Sequence, residues 1–400
     1  MKNNTTPDES DGRVRALHIA PTPFFSDRGC HMRIRGIISA LNRKSVDNIL
    51  CTYHLGRDIE GIETIRTAPV PGYSKLEAGP SAYKYVADIL LLIKVCTQIL
   101  KRKPDIIHAH LHEGALIGWL ARLLVFRRRI PMIFDMQGSL TGELEAHGYF
   151  SKFRLLKKMF YLVEYLITRI PDRFICSSEN SVNVLIRDFG VKTGLVTLVS
   201  DGADLFEPAH GRNTDLELAL PENRTMVIYT GALLEAKGIH HLYDAILQAS
   251  KRGTACHFLI VGYPEEPIRE FCDRNGLQEY CTVIGRVPYA RLGEYLSMAD
   301  VAVEPKLSAS GEASGKLLNY MGAGLPVVCF DTRVNRQLLG DDGYYVSTDD
   351  GIIDGIQAVI RDPANAKVRG IAGQKRVELN YSWDASADRV KTVYRSCLVE

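Results

Sequence analysis

The 400-residue chain has no long apolar run, no clustered cysteines and almost no net charge, and each lack removes a class of protein. Its longest apolar stretch, Val86 to Leu100, is interrupted by Asp88 and Lys94. It falls short of the ~20 residues that a membrane-spanning helix needs, so no transmembrane helix is expected. Nine cysteines, odd in number and scattered, form no CxxC pair and no metal-like cluster. With a polar N-terminus and no signal peptide, that usage predicts reduced thiols and a cytoplasmic protein. A formal net charge of +2 gives no overall pull toward nucleic acid, and no nucleic-acid motif is present, so no such partner is expected. HExxH, DxD and cysteine-histidine ligand sets are all missing, and no metal is expected. Neither the dinucleotide fingerprint GxGxxG nor a Walker loop occurs: Ser314-Gly315-Lys316-Leu317 has the lysine without the upstream glycine or the following Ser/Thr.

What is present is ordinary globular composition, 46% apolar and 24% charged, over a length that suits two domains with full cores. After a polar segment, residues 1–12, expected to be disordered, strand-like runs recur at Val14 to Ala20, Asn48 to Tyr53, Ile106 to His110, Met132 to Asp135 and Arg173 to Ser177. Helical patterns separate them, including His31 to Asn42, Tyr83 to Arg102, Glu113 to Phe126 and Phe153 to Thr168. A second series follows at Met226 to Thr230, His257 to Val261, Thr282 to Ile284, Val301 to Glu304 and Leu325 to Phe330. Strands alternating with helices predict doubly wound parallel sheets, here two Rossmann-like domains in sequence. The polar stretch Phe206 to Arg224, with Pro208 and Pro221, is the expected linker. The expected boundaries are 1–206, 207–382 and a final helix, 383–400.

The richest stretch runs from Val303 to Asp331. Glu304-Pro305 marks a strand end, and a loop of small residues, Ser308 to Gly315, leads into a helix from about Lys316 to Tyr320. Gly322-Ala323-Gly324 ends the helix and Leu325 to Phe330 reads as a buried strand. Loop glycines let backbone approach a ligand, and the first N–H groups of a helix favour negative charge, so this is a candidate anion site. The alternative is a plain strand-loop-helix with a surface loop.

Met321-Gly322-Ala323-Gly324-Leu325-Pro326-Val327-Val328 resembles the "MAxGxPVV" segment of retaining GT-B glycosyltransferases of the GT4-like group. Two further segments carry the likeness. Gly231 to Gly238 resembles the family's "GRxxxxKG" loop, with Lys237 kept and Ala232 in the arginine place; Tyr381 to Leu398 resembles its last helix. The resemblance implies two Rossmann-like domains facing across a cleft, with the final helix crossing back to the first. It implies transfer of a hexose from a nucleotide-diphosphate sugar, UDP- or GDP-linked, to a glycan, lipid-linked or small-molecule acceptor, in polysaccharide or glycoconjugate synthesis, with no metal required and no protein nucleophile.

Residue by residue, the resemblance maps the family's first glutamate to Glu312, which would position the donor sugar. Its second, ribose-holding glutamate falls on Asn319, one residue short in spacing. Lys237 would stabilise the charge developing on the departing diphosphate. Gly29, in the loop after the first strand, takes the place of a glycine beside the donor phosphates. Gln137 stands where the family often has a histidine that touches the sugar, and with Glu312 and Lys237 completes the catalytic set. Gly231, Gly262, Arg286, Gly315, Lys316 and Leu317 complete the donor side, with Arg286 or Lys316 supplying further positive charge. Arg28, His110 and Glu143 are the acceptor-side candidates. For His108 and His110 the alternative is a structural histidine, and for Arg28, Arg33 and Arg35 a solvated helix face. The basic amphipathic stretch Phe150 to Tyr161 suits peripheral contact with an anionic membrane on its inner face; the alternative is a core-facing helix with its lysines in water. Ala232, Asn319 and Gln137 together also fit a catalytically weakened, partner-dependent subunit.

Overall fold

A computed structural model of the chain describes residues 13–26, 29–76, 81–127, 129–146, 154–206, 218, 220–307, 315–348 and 351–398. The chain divides into two compact units. The first comprises Met1–Ser177, Ser181–Val199 and Ala387–Glu400; the second comprises Ser178–Asn180 and Ser200–Ser386. The unit boundaries thus stand at 199/200 and 386/387, beside the 206/207 and 382/383 expected from sequence.

The first unit holds β1 (Arg15–Ala20), α1 (Gly29–Arg43), β2 (Asp47–Thr52), β3 (Glu63–Arg66), α2 (Ala82–Arg102), β4 (Ile106–His110), α3 (Leu111–Leu124), β5 (Met132–Met136), α4 (Leu140–Ala146), α5 (Arg154–Ile167), β6 (Arg173–Cys176), α6 (Glu179–Asn183) from Ser181 onward and β7 (Val196–Leu198). Its seven strands are parallel, in the order β3-β2-β1-β4-β5-β6-β7. Because helices cover both faces of such a sheet, its inner strands are apolar almost without alternation, and β4 and β5 are buried along their whole length. The edge strands β3 and β7 are short and only half buried, which is why no apolar run announces them. The chain order reverses between β1 and β4, and the crevice at the carboxyl ends of strands beside such a switch is where open α/β sheets hold ligands.

Polar side chains knot the strands on that side of the sheet. His18 of β1, His108 and His110 of β4 and Asp135 of β5 interrupt apolar strands and are all fully buried. Asp135 accepts from Arg33 of α1 through Nε (2.9 Å) and Nη2 (2.7 Å), and from His110 Nδ1 at 2.9 Å. His110 Nε2 meets His18 Nδ1 at 3.0 Å, and His18 Nε2 meets Asn48 Oδ1 at 3.0 Å. The Asn48 amide donates to Asn42 Oδ1 and the Val46 carbonyl, so its oxygen faces His18. A chain with acceptors at both ends and three hydrogen bonds needs three N–H groups from two rings, one proton more than two neutral imidazoles hold. Burial, and then His110, push His18 down to about 3, so His18 itself stays neutral. Burial alone would raise the Asp135 carboxyl; the Arg33 guanidinium and His110 reverse this and hold it well below the usual carboxylate range.

His108 lies over both partners, with ring centroids 4.6 Å from His18 and 4.5 Å from His110. Burial and the two neighbouring rings keep it neutral. Donor nitrogens of the three histidines come within 4.8 Å of one another. Yet the rings lie within 25° of parallel, and the facing nitrogens of His18 and His110 engage each other. A common metal ion would need a ring to turn.

The second unit holds β8 (Thr225–Ala232), α7 (Ile239–Lys251), β9 (Cys256–Tyr263), α8 (Glu266–Asn275), β10 (Cys281–Val283), α9 (Leu292–Leu296), β11 (Val301–Glu304), α10 (Gly315–Gly322), β12 (Val327–Phe330), α11 (Arg333–Leu339), β13 (Tyr344–Val346), α12 (Ile352–Arg361) and α13 (Pro363–Arg376). Six parallel strands run in the order β10-β9-β8-β11-β12-β13. Alternate residues feed two cores: Val227, Tyr229, Phe258 and Ile260 on one face, Met226, Ile228, Leu259 and Val261 on the other. The last helix, α14 (Trp383–Leu398), belongs to the first unit from Ala387 onward. There the Tyr394 hydroxyl bonds His108 Nδ1 at 2.7 Å, Lys44 pairs with Asp388 at 2.6 Å, and Lys391 Nζ donates to the Lys44 carbonyl.

The buried histidines set a pH dependence. His18 and His108 are depressed in the folded state and titrate near 6.5 when unfolded, so below that value the unfolded chain binds more protons and stability falls as pH drops. In denaturant titrations between pH 6.5 and 5, His108→Phe is expected to reduce the slope of unfolding free energy against pH by one proton, ~1.4 kcal/mol per unit. Equal slopes for the two proteins would show that His108 protonates in the folded chain.

Candidate functional site

In the first unit the carboxyl ends of β1, β4 and β5 carry the loops that the sequence singled out. The loop after β1 is braced by His31, fully buried in α1: the Ser26 N–H donates to Nδ1 at 3.0 Å, so Nε2–H donates to Thr22 Oγ1 at 2.7 Å. Gly29 opens α1, exposed, with nothing within 4 Å of where a Cβ would stand. Gln137 follows β5, half buried; its amide nitrogen reaches Asp135 Oδ2 at 3.3 Å, which leaves its carbonyl oxygen for another donor. Directly after it, the start of α4 is pinned by buried Glu164 of α5. That carboxylate accepts from the Leu140 and Thr141 amides (2.9 and 3.0 Å) and from the Thr141 hydroxyl (2.6 Å), and meets His112 Nε2 at 3.2 Å. Burial would raise Glu164; His112 and Thr141 bring it down to about 2.

Two expectations change here. His110 is wholly buried with both ring nitrogens engaged, so it orients Asp135 rather than meeting an acceptor. Arg33 is not on a solvated helix face but 1% exposed and paired with Asp135, because α1 turns that side toward the sheet. Arg28 lies outside the described residues, and Glu143 is described only as a position in α4.

In the second unit the switch point falls between β8 and β11. Gly231 and Gly262 stand opposite each other at the ends of β8 and β9. A Cβ on Gly262 would lie 2.1 Å from the Gly231 carbonyl oxygen, and Gly231 itself has φ +120°, which favours glycine. The loop after β8 closes on the end of β11: Gly238 has φ +78°, and a Cβ there would fall 2.0 Å from the Pro305 carbonyl. Tyr229 holds the same loop from below. Its hydroxyl donates to the Ala232 carbonyl at 2.8 Å and accepts from Lys316 Nζ at 3.0 Å. Burial, then the Glu304 charge, keep this phenol protonated.

Lys316, near the start of α10, also pairs with buried Glu304 at 3.2 Å and lies 4.1 Å over the Tyr229 ring. One turn on, the Tyr320 hydroxyl accepts from the Thr230 N–H at 2.8 Å. Together Lys316 and Tyr320 fasten the first turn of α10 to β8, while Leu317 and Leu318 sink into the core. The Lys316 ammonium is therefore aimed at Glu304 and Tyr229. Lys237, at the end of a one-turn helix before Gly238, is half buried, and its side chain makes no hydrogen bond or ion pair with the described residues. Asn319 is half buried, its Oδ1 accepting from Tyr289 at 3.2 Å, and Arg286 is exposed after β10. Glu312 and the loop from 308 to 314 lie outside the described residues.

The second unit thus gathers Gly231, Gly262, Gly315, Lys316, Leu317 and Asn319 around the ends of β8, β9 and β11, while Gly29, His110 and Gln137 belong to the first unit. Sequence reading left roles for His18, His31, Asp135, Tyr229, Glu304 and Tyr320 unassigned. The signal for several was a lone polar residue inside an apolar strand.

Comparison with known proteins follows this division. Residues 28–202 match the glycosyl transferase 4-like domain and residues 224–362 match glycosyl transferases group 1. The D-inositol 3-phosphate glycosyltransferase of Corynebacterium diphtheriae is 22% identical, over 95% of this chain and 93% of its own length. The capsular polysaccharide biosynthesis glycosyltransferase CapM of Staphylococcus aureus is 23% identical over 78% and 82%. Among solved structures, the sucrose-phosphate synthase of Thermosynechococcus elongatus superposes with a TM-score of 0.78 at 21% identity, covering 97% of this chain and all of that one. Anabaena Alr3699/HepE with UDP and glucose gives 0.73 at 17% identity, covering 96% of this chain and 100% of that one. With both domain profiles matched in order over most of its length, the chain belongs to the GT4-like glycosyltransferases of the GT-B fold.

Proposed function

We propose that the chain is a retaining hexosyltransferase that takes a nucleotide-diphosphate sugar, with uridine as the first base to test, and passes the hexose to a glycan or lipid-linked acceptor. The observation that carries the reading is the set of loops at the carboxyl ends of β8, β9 and β11. Gly231 is exposed with a glycine-favouring φ and Gly262 packs against its carbonyl, the first turn of an eight-residue helix brings N–H groups to the same strand ends, and the Lys237 side chain has no hydrogen bond or ion pair among the described residues. A nucleoside diphosphate needs those features, because fixed positive charge and oriented N–H groups favour the negative charge that grows as the glycosidic bond breaks. Neighbouring structures were solved with UDP, UDP-glucose and ADP, which supports a nucleotide donor. Related glycosyltransferases named for inositol phosphate and capsular polysaccharide support a hydroxyl-bearing acceptor in glycoconjugate synthesis.

In this reading Asn319 donates to the ribose, Lys237 meets the diphosphate, and Glu312 positions the sugar. Gln137 offers its carbonyl oxygen to a hydroxyl of the sugar, and Gly29 leaves room beside the phosphates. The reaction proceeds on one face of the sugar without a protein nucleophile, which fits the engagement of Glu304 by Lys316. The two lysines therefore divide: Lys237 acts on the ligand and Lys316 on the fold. The exposed Ala232, in the place of the family's arginine, keeps a second reading in view, a subunit that binds nucleotide and works only beside a partner.

A thermal-shift titration with UDP-, GDP-, ADP- and dTDP-sugars, without added metal, is expected to raise the melting temperature with one nucleotide class. Lys237→Ala should weaken that binding roughly tenfold or more, the size of a lost charge-assisted hydrogen bond, at unchanged stability of the free protein. No shift with any of the four nucleotides would refute the donor reading; a shift with no turnover on any acceptor would favour the partner-dependent one. Lys316→Met should instead destabilise the free protein by ~3 kcal/mol, since it leaves the Glu304 charge buried without a partner. Adding Glu304→Gln should recover much of the loss, and its failure to do so would show that Lys316 does not act through Glu304.

A further inference from the structure

One layer of helices on the first sheet has its apolar side turned outward. α3 packs against α2 on one side and α5 on the other. Along α2, Val86, Ile89, Ile93 and Leu100 fall at spacings of three, four and seven residues, hence on one stripe, and Ile89 and Ile93 are 60% and 59% exposed. Along α3, Leu116, Trp119 and Leu124 are exposed, and just beyond it Phe126 is 88% exposed. Along α5 the exposed stripe is Met159, Leu162 and Leu166. A groove of about 370 Å³ joins the first two helices, with Ile93, Cys96 and Leu100 on one wall and Leu124 on the other. Scattered apolar residues on a surface need no explanation, but stripes on three neighbouring helices do.

The charges exposed on this layer are mostly cationic, and Asp105, which lines a hollow with Arg127 and Arg129, is paired with Arg15. The layer's three helices contain one carboxylate each, Asp88, Glu113 and Glu164, and all three are engaged by the protein: Asp88 by the Tyr53 hydroxyl, Glu113 by Lys84, and Glu164 by Thr141 and His112. Exposed cations collect where α2 and α3 end, Lys101 and Lys103 after one, Arg127 and Arg129 after the other, and Lys158 is exposed on α5. No helix of the described residues is long and apolar enough to cross a bilayer.

We propose that the outward side of α2, α3 and α5 is a docking face for an anionic lipid surface, with the apolar stripes set at the level of the acyl boundary and the cations at the headgroups. A bilayer bearing negative charge supplies what this face lacks, hydrocarbon for the stripes and anions for the lysines and arginines. A second copy of the chain would bring the same exposed cations and, from these helices, only carboxylates already engaged by its own side chains. The face is wider than the stretch Phe150 to Tyr161 that the sequence suggested, of which residues 150–153 lie outside the described residues.

Flotation of the full chain with vesicles tests this. Binding is expected to vesicles of phosphatidylcholine with ~30% phosphatidylglycerol, to be at least tenfold weaker on phosphatidylcholine alone, and to decline with added salt as exposed charges are screened. Ile89→Glu combined with Ile93→Glu should abolish binding, and Lys101→Glu with Lys103→Glu should weaken it at least tenfold. Both sites are exposed, so melting temperatures and nucleotide binding should stay within error of the parent. The proposal is overturned if the parent ignores anionic vesicles or if the isoleucine variant binds them undiminished. It is equally overturned if light scattering finds a dimer that the isoleucine variant splits, for then a second copy covers the face.

Discussion

A carboxylate with no access to water must be compensated by its neighbours, and Asp135 imposes that demand on most of the first unit's core. Arg33 answers it with two hydrogen bonds, and with Asp135 it ties α1 to β5. Removing one member of such a pair costs about 3–5 kcal/mol, because the other charge stays buried. His110 adds a third bond and passes the constraint through His18 to Asn48, so that β1, β2, β4 and β5 share one polar chain. The carboxylate's remaining reach is toward Gln137, the residue that leads out of β5. A group buried for structural reasons thereby sets the orientation of one at the rim of the site.

The second unit reaches a similar solution with different residues. Glu304 ends β11 as Asp135 comes near the end of β5, and both are met by a cation from a helix that follows a loop. The chemistry differs where the loops do. Arg33 is bidentate and sealed, whereas Lys316 shares its ammonium between Glu304 and the Tyr229 hydroxyl. Through Tyr229 the pair reaches the Ala232 carbonyl and so shapes the loop that carries Lys237. In each unit a buried ion pair fixes its neighbours at the strand ends, the Gln137 amide in one and the Ala232 carbonyl in the other.

The fold was legible because parallel strands covered on both faces leave nearly unbroken apolar runs, and β1, β4, β5, β8 and β9 all show them. Edge strands β3, β7 and β13 gave no such signal, being three or four residues long and partly solvated. The glycines at 231 and 238 were legible as a loop pattern and Gly262 only through the family resemblance, and the structure supplies the reason for two of the three, close approaches of 2.0 Å at Gly238 and 2.1 Å at Gly262 that exclude a side chain. Long-range pairings were not legible. A basic helix start reads the same whether Arg33 faces water or Asp135, 102 residues away. His108 and His110 sit two apart on one strand, yet their partners, Tyr394 and Asp135, lie 286 and 25 residues away. Period and spacing describe neighbours along a strand, not what the sheet brings beside it.

The return of the last helix has a consequence for how the protein is made. Tyr394 and Asp388 complete the first unit through His108 and Lys44, but they leave the ribosome after the entire second unit. Domains of a multidomain chain usually fold in turn as they emerge. Here the first to emerge must wait, its sheet formed and one side of His108 unmet, while more than a hundred and eighty residues of the second unit are synthesised and folded. Vectorial synthesis thus makes the C-terminal segment the closing step for the first unit, and a message truncated shortly before codon 394 would yield a second unit without a finished first.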